Sequence, residues 1–177
     1  MLHILAGLDE PTDGTVTFAG NELSTMSAGE RTRHRLHNVG IVFQRFHLLE
    51  TLSARANVAL PLIEQGVGKR ERRRRATALL EQVDLGDRLD HTPRELSGGE
   101  CQRVAIARAL ITDPAVVIAD EPTGELDTET GRTILSLFET VAADRAVVVA
   151  SHDRETLAIA DRVVSLRDGT IEEVSEQ

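Results

Sequence analysis

The sequence predicts an α/β fold, a parallel sheet covered by helices with a block of helices set into it. Short apolar runs at 115–119, 146–150 and 162–166 alternate with helical stretches at about 128–143 and 156–160, a βαβ series that implies a parallel sheet. From Ser53 to about Leu110 the apolar residues recur at helical spacing instead. Ahead of that block, Val39-Gly40-Ile41-Val42-Phe43 is a continuous apolar run, the pattern of a strand buried on both faces.

Met1 to Leu8 reads as a helix ending near Gly7, which suits a left-handed cap. Pro11-Thr12-Asp13-Gly14 is turn chemistry feeding the alternating strand Thr15-Val16-Thr17-Phe18, and Gly20-Asn21 turns the chain again. Ser27 with Glu30 three residues on forms a capping-box pattern, so a polar helix runs from there to about His37. His34 and His37 share a face of it as a solvated pair. In the helical block, Asn57 to Ile63 and Glu71 to Val83 carry helical spacing, and Ala76, Leu79, Leu80 and Val83 fall on one face. The run Lys69 to Arg75 at the start of the second helix reads as a solvated face, with contact to anionic lipid or a membrane partner as the alternative. Thr112-Asp113-Pro114 ends the block; Asp168-Gly169 makes a hairpin turn into Thr170-Ile171, and the last residues read as an acidic tail.

Composition excludes several functions. With 177 residues and 41% apolar content, one domain with one core is expected. The longest apolar runs are about a quarter of the roughly 20 residues a membrane helix needs, and no secretory segment is present. Cys101 is the only cysteine and the six histidines show no metal-ligand spacing. A net charge of −9 argues against nucleic acid as a partner. Lys69 is the only lysine, and an acidic, lysine-poor surface suits a high-salt cytoplasm, which solubility from low to molar salt would test.

Four segments carry chemistry. The strand Ala115 to Ala119 delivers Asp120 and Glu121 at its carboxyl end, where ligands sit in open α/β sheets. Adjacent carboxylates there can divide the work, one holding Mg²⁺ and the other orienting an attacking water; alone, they are equally a polar strand end leading into the turn Glu121-Pro122-Thr123-Gly124. Leu96-Ser97-Gly98-Gly99-Glu100 opens a strongly helical run. Two glycines at a helix start expose backbone N–H groups, the helix dipole adds positive potential and Ser97 supplies a hydroxyl, so the segment can bind a phosphate; alone, it is a glycine loop with a serine cap. Gln44 ends a strand and starts a loop, within reach of a metal or water. His152, after the strand 146–150, can bond a phosphate or fix Glu121; alone, a structural role is favoured.

In this order, Gln44, Leu96 to Glu100, Ala119-Asp120-Glu121-Pro122-Thr123-Gly124-Glu125-Leu126-Asp127 and Ser151-His152-Asp153 resemble the motif series of ABC transporter ATP-binding subunits over essentially all 177 residues. The wording Leu5-Ala6-Gly7-Leu8-Asp9, Phe43-Gln44 and Asp120 to Gly124 is similar to the branch serving lipoprotein release, macrolide-type export and the cell-division ABC complex. The resemblance implies a P-loop NTPase-like parallel sheet, a helical subdomain at about 53–110 and a partial N-terminal antiparallel strand region. It further implies ATP and Mg²⁺ as cofactors, a transmembrane permease and a second ATP-binding subunit as partners, and a peripheral place on the inner face of the cell membrane. Residue by residue, it makes Gln44 the Q-loop glutamine that reaches Mg²⁺ or water, and Ser97, Gly98, Gly99 and Glu100 the signature contacting nucleotide on the opposite subunit. Asp120 becomes the Mg²⁺ aspartate, Glu121 the general base, Asp127 the D-loop aspartate and His152 the switch.

The chain departs from that pattern at Cys101, where a polar residue is more usual, at Glu125 in the D-loop, and at its start. The stretch after Met1 resembles the segment just past the Lys-Ser/Thr of a Walker A loop; no such loop stands in the sequence, Gly68-Lys69 lacks the companions one needs, and neither Trp nor Tyr occurs. The expectation is a cassette with the first part of its core missing, weak or inactive as an ATPase alone, with an open sheet edge and uncovered apolar surface. The alternative is a helper subunit or gene remnant whose signature completes a sibling's ATP site.

Overall fold

The computed structural model describes residues 1–176. Helix α1 (Leu2–Leu5) leads through Gly7, at φ +67°, to a small antiparallel hairpin of β1 (Thr17–Phe18) and β2 (Asn21–Glu22). The hairpin turns at Ala19-Gly20, both at positive φ, one residue earlier than Gly20-Asn21, because that pair supplies the left-handed turn that matches strand twist. Helix α2 (Ala28–Asn38) starts at the expected capping box: the Ser27 amide donates to Glu30 Oε2 at 2.9 Å and the Glu30 amide to Ser27 Oγ at 3.4 Å.

Strands β3 (Val39–Val42), β4 (Val116–Asp120) and β5 (Ala146–Ala150) form a parallel sheet in the order β3-β4-β5, with Val39 beside Val116 and Val116 beside Ala146. One face is covered by α5 (Gly98–Leu110) and α6 (Thr128–Ala142), whose Ile106, Ala109, Ile134, Phe138 and Val141 pack on Val42, Val117 and Ala119. On the other face Val39, Val116 and Ile118 meet Ala6, with Leu2, Leu5 and Phe18 around them. Contact between β3 and α5 is as close as backbone allows: a Cβ on Gly40 would lie 2.4 Å from the Ala109 carbonyl oxygen.

Between β3 and β4 stand α3 (Ala54–Glu64), α4 (Lys69–Gln82) and α5, which share a core of their own built on Val58, Leu62, Ala76, Leu80, Leu85 and Val104. Burying each large aliphatic side chain there contributes about 1.5–3 kcal/mol. Gly68 caps α4 in extended backbone, so Gly68-Lys69 is a helix start and not a phosphate loop.

Two expectations are corrected. The run 162–166 does not join the parallel sheet; β6 (Arg162–Arg167), after the short helix α7 (Arg154–Ala158), pairs antiparallel with β7 (Thr170–Glu176) in a separate two-stranded sheet. The tight turn explains it: Asp168 and Gly169 sit at φ +49° and +78°, so the nearest partner for β6 is the next stretch of chain. The acidic tail is therefore strand through Glu176, its backbone hydrogen bonds overriding its charge; Gln177, its last residue, lies outside the described residues. Among the described residues the outer edge of β5 has no strand partner, and Val148, Val164, Leu166, Ile171 and Val174 are exposed.

Candidate functional site

The carboxyl ends of β4 and β5 build the centre of the site. Strand β4 runs in register with β5 as far as Asp120 opposite Ala150, and there the backbone breaks: Glu121 takes φ +44°, a left-handed conformation that costs a residue with a Cβ about 1–3 kcal/mol. Two backbone bonds hold it, from the Glu121 amide to the Ala150 carbonyl at 2.9 Å and from the Gly124 amide to the Glu121 carbonyl at 3.1 Å. The kink carries the Glu121 carboxylate across the end of β5. His152 Nδ1 donates to its Oε1 at 2.8 Å, and Ser151 Oγ donates to its Oε2 at 3.2 Å. The hydrogen bond to the Glu121 carboxylate, and then that group's charge, raise the His152 pKa above the ordinary histidine value, so the imidazole keeps its proton to higher pH. His152 is largely open to solvent whereas Glu121 is mostly covered, so a small molecule reaches the pair from the histidine side.

Gln44 leaves the end of β3 on an exposed loop and its amide comes to the same turn: Nε2 is 3.4 Å from where a Cβ on Gly124 would stand. Asp120 points to the other face of β4, towards the cleft lined by Ala6, Leu8, Ile41 and Phe43. Its carboxylate makes no hydrogen bond or ion pair among the described residues. No group of three or more His, Cys, Asp or Glu suited to a metal occurs there either. By donor chemistry the Asp120 carboxylate fits Mg²⁺, which takes one or two protein oxygens and fills its other positions with water and phosphate, and the Gln44 amide, on the loop after the neighbouring strand, carries a second oxygen of the same kind.

The segment Leu96 to Glu100 sits at the start of α5. Ser97 is the N-cap: its Oγ accepts from the Glu100 amide at 3.2 Å while Glu100 Oε2 accepts from the Ser97 amide at 2.7 Å. Glu100 also meets Arg88 Nε at 3.2 Å, and the Ser97 amide, the Ser97 hydroxyl and Arg88 together hold its carboxyl below the ordinary range. Ser97 and Gly98 are exposed to solvent. Gly99 is buried against the first turn of α6, where a Cβ would lie 2.3 Å from Thr130 Cγ2. Asp127 caps that helix, accepting from the Thr130 amide at 3.0 Å and from Thr130 Oγ1 at 2.6 Å, which lowers its pKa. The structure thus brings Glu121, His152 and Gln44 to one turn, and the signature segment to the Asp127 turn beside it.

Sequence reasoning assigned no role to Ser151, although its place next to His152 was the available signal. It also assigned no role to Gln102 and Arg108, polar residues of the mostly buried helix α5, or to Asn57, fully buried at the start of α3.

The ABC transporter family model matches residues 1–124. An uncharacterized ABC transporter ATP-binding protein of Thermotoga maritima is 48% identical over the whole chain, which spans 76% of that relative. The macrolide export ATP-binding/permease protein MacB 2 of Aeromonas hydrophila is 41% identical over 99% of the chain, which covers 27% of that longer protein. Among solved structures, the ATP-binding cassette MJ0796, a dimer in a post-hydrolysis state bound to ADP and Pi, superposes with a TM-score of 0.90 at 38% identity over 99% of the chain and 78% of its own. A strand end that aims two carboxylates in opposite directions, a glycine-rich helix start beside it and these matches agree: the chain belongs to the ABC transporter family, as an ATP-binding cassette.

Proposed function

We propose that the chain is the ATP-hydrolysing part of an ABC transporter of the lipoprotein-release and macrolide-export branch, coupled to a transmembrane permease on the inner face of the membrane. The observation that supports this best is Glu121, turned out of β4 and gripped by Ser151 and His152. Glu121 takes the proton of a water attacking the γ-phosphorus of ATP, the P–O bond to ADP breaks, and His152, held by Glu121, faces the γ-phosphate; a positioned base contributes about 10²–10⁴ in rate. Asp120 and Gln44 would hold Mg²⁺, which would supply positive charge against the phosphates. The Ser97 hydroxyl and the amides of Gly98 and Gly99 meet the γ-phosphate of nucleotide on a second subunit, with Asp127 at the seam between the two.

The 177 residues contain no Gly-x-x-x-x-Gly-Lys-Ser/Thr cradle. With Ser97 and Gly98 exposed, the chain can complete the site of a second cassette. The test adds the chain to an intact sibling cassette with ATP and Mg²⁺ and follows phosphate release. Release should rise, and Ser97→Arg in this chain should abolish the rise. No rise, or a rise indifferent to Ser97→Arg, would overturn the reading.

A further inference from the structure

The loop that carries Gln44 contains two successive residues, Phe46 and His47, at φ +51° and +48°. Neither is glycine, so the loop opposes its own backbone preference and something must hold it. Arg108 does so from α5: Nη1 donates to the His47 carbonyl at 2.6 Å and Nη2 to the Phe46 carbonyl at 2.7 Å. Both bonds are charge-assisted, and the planar fork spans two adjacent carbonyls as a single ammonium cannot. Arg108 forms no ion pair with any acid among the described residues, and burial lowers its pKa. A cation left half-buried against carbonyls alone is costly unless those bonds repay it.

The same helix holds the Glu121 turn. Gln102 is fully buried, and its Nε2 donates to the carbonyl of Pro122, the residue after Glu121, at 2.7 Å. Gln102 and Arg108 stand six residues apart on α5, about 9 Å along its axis. Beyond them, at the start of the helix, Gly98 faces Leu126 and the Phe46 ring.

We propose that Arg108 and Gln102 are positioning residues: through them the signature helix α5 fixes the Gln44 loop and the Glu121 turn, so that both are set from one rigid element. The proposal rests on the roles of Gln44 and Glu121 in ATP hydrolysis, but its geometry is read without nucleotide.

Hydrogen exchange on the full chain, free of nucleotide, tests it. Arg108→Met should speed exchange of the amides at 46–48 about tenfold or more, with the interior of α5 unchanged. Arg108→Lys, which keeps the charge and the stem, should recover only part of the protection, because one ammonium replaces two donors. Gln102→Leu should loosen 121–124, read at the Gly124 amide, and leave 46–48 as they are. If Arg108→Met prevents folding, Arg108→Lys still decides: wild-type protection at 46–48 in that variant would overturn the fork, as would wild-type exchange at Gly124 in Gln102→Leu for the second tether. Since no ATP is present, these outcomes are independent of whether the chain hydrolyses it.

Discussion

Gly99→Ala gives the sharpest test of how the signature helix sits. A Cβ there would lie 2.3 Å from Thr130 Cγ2, well inside any tolerated carbon contact, whereas Thr130 Cβ and Oγ1 are at 3.6 and 3.8 Å. Only the methyl is in the way. Thr130 cannot swing aside freely, because its Oγ1 is bonded to Asp127 at 2.6 Å. Overpacking of this kind costs about 1–3 kcal/mol, against which an alanine in a helix recovers up to about 1 kcal/mol relative to glycine. The net loss should be about 1–2 kcal/mol, a fall of about 2–8 °C in Tm for a chain of this length. Thr130→Ser removes the methyl and keeps the hydroxyl, so Gly99→Ala in a Thr130→Ser background should be neutral or stabilising. Urea denaturation of the four proteins in the cycle measures the coupling. Equal costs of Gly99→Ala in both backgrounds would refute the contact.

The His152 ring should titrate above the ordinary histidine value in an NMR titration, and Glu121→Gln should bring it back down. With the folded pKa raised, the pair's contribution to stability is present in full below the unfolded pKa and is lost as pH rises through the folded one. Asn57→Ala should destabilise by about 2–4 kcal/mol in urea unfolding, because Asn57 Oδ1 accepts from the Leu49 amide at 2.8 Å and its Nδ2 donates to the carbonyls of Leu49, Leu52 and Ser53; the Leu49 and Ser53 carbonyls keep backbone donors, but the Leu49 amide and the Leu52 carbonyl lose their partners. Gly40→Ala should cost about 3 kcal/mol, since its Cβ meets the Ala109 backbone rather than a side chain that can move, and a thermal scan would read it.

Much of this was legible in the sequence, for identifiable reasons. Apolar runs fix strands wherever both faces are buried, which is why β3 and β4 fall where the pattern puts them; β5 is half-exposed, and its apolar run alone marks it. Ser27 and Glu30 announce α2 because a capping box is local chemistry. Pairing between strands is not local: nothing in the run 162–166 says whether it lies beside β5 or beside β7, and the Asp168-Gly169 turn decided that. Likewise Asp120-Glu121 could be placed at a strand end, but the left-handed kink that sends Glu121 to Ser151 and His152 depends on the end of β5, a neighbour in space and not in sequence. Arg108 escaped notice because its partners are backbone carbonyls some sixty residues away, a contact without a motif.

Whether Glu121 is the base for ATP hydrolysis is decided by single-turnover phosphate release from the cassette assembled with its second subunit, comparing Glu121 with Glu121→Gln. A base held as Glu121 is should make release fall by about 10²-fold or more in the variant, with nucleotide still bound; release unchanged in Glu121→Gln would contradict that role.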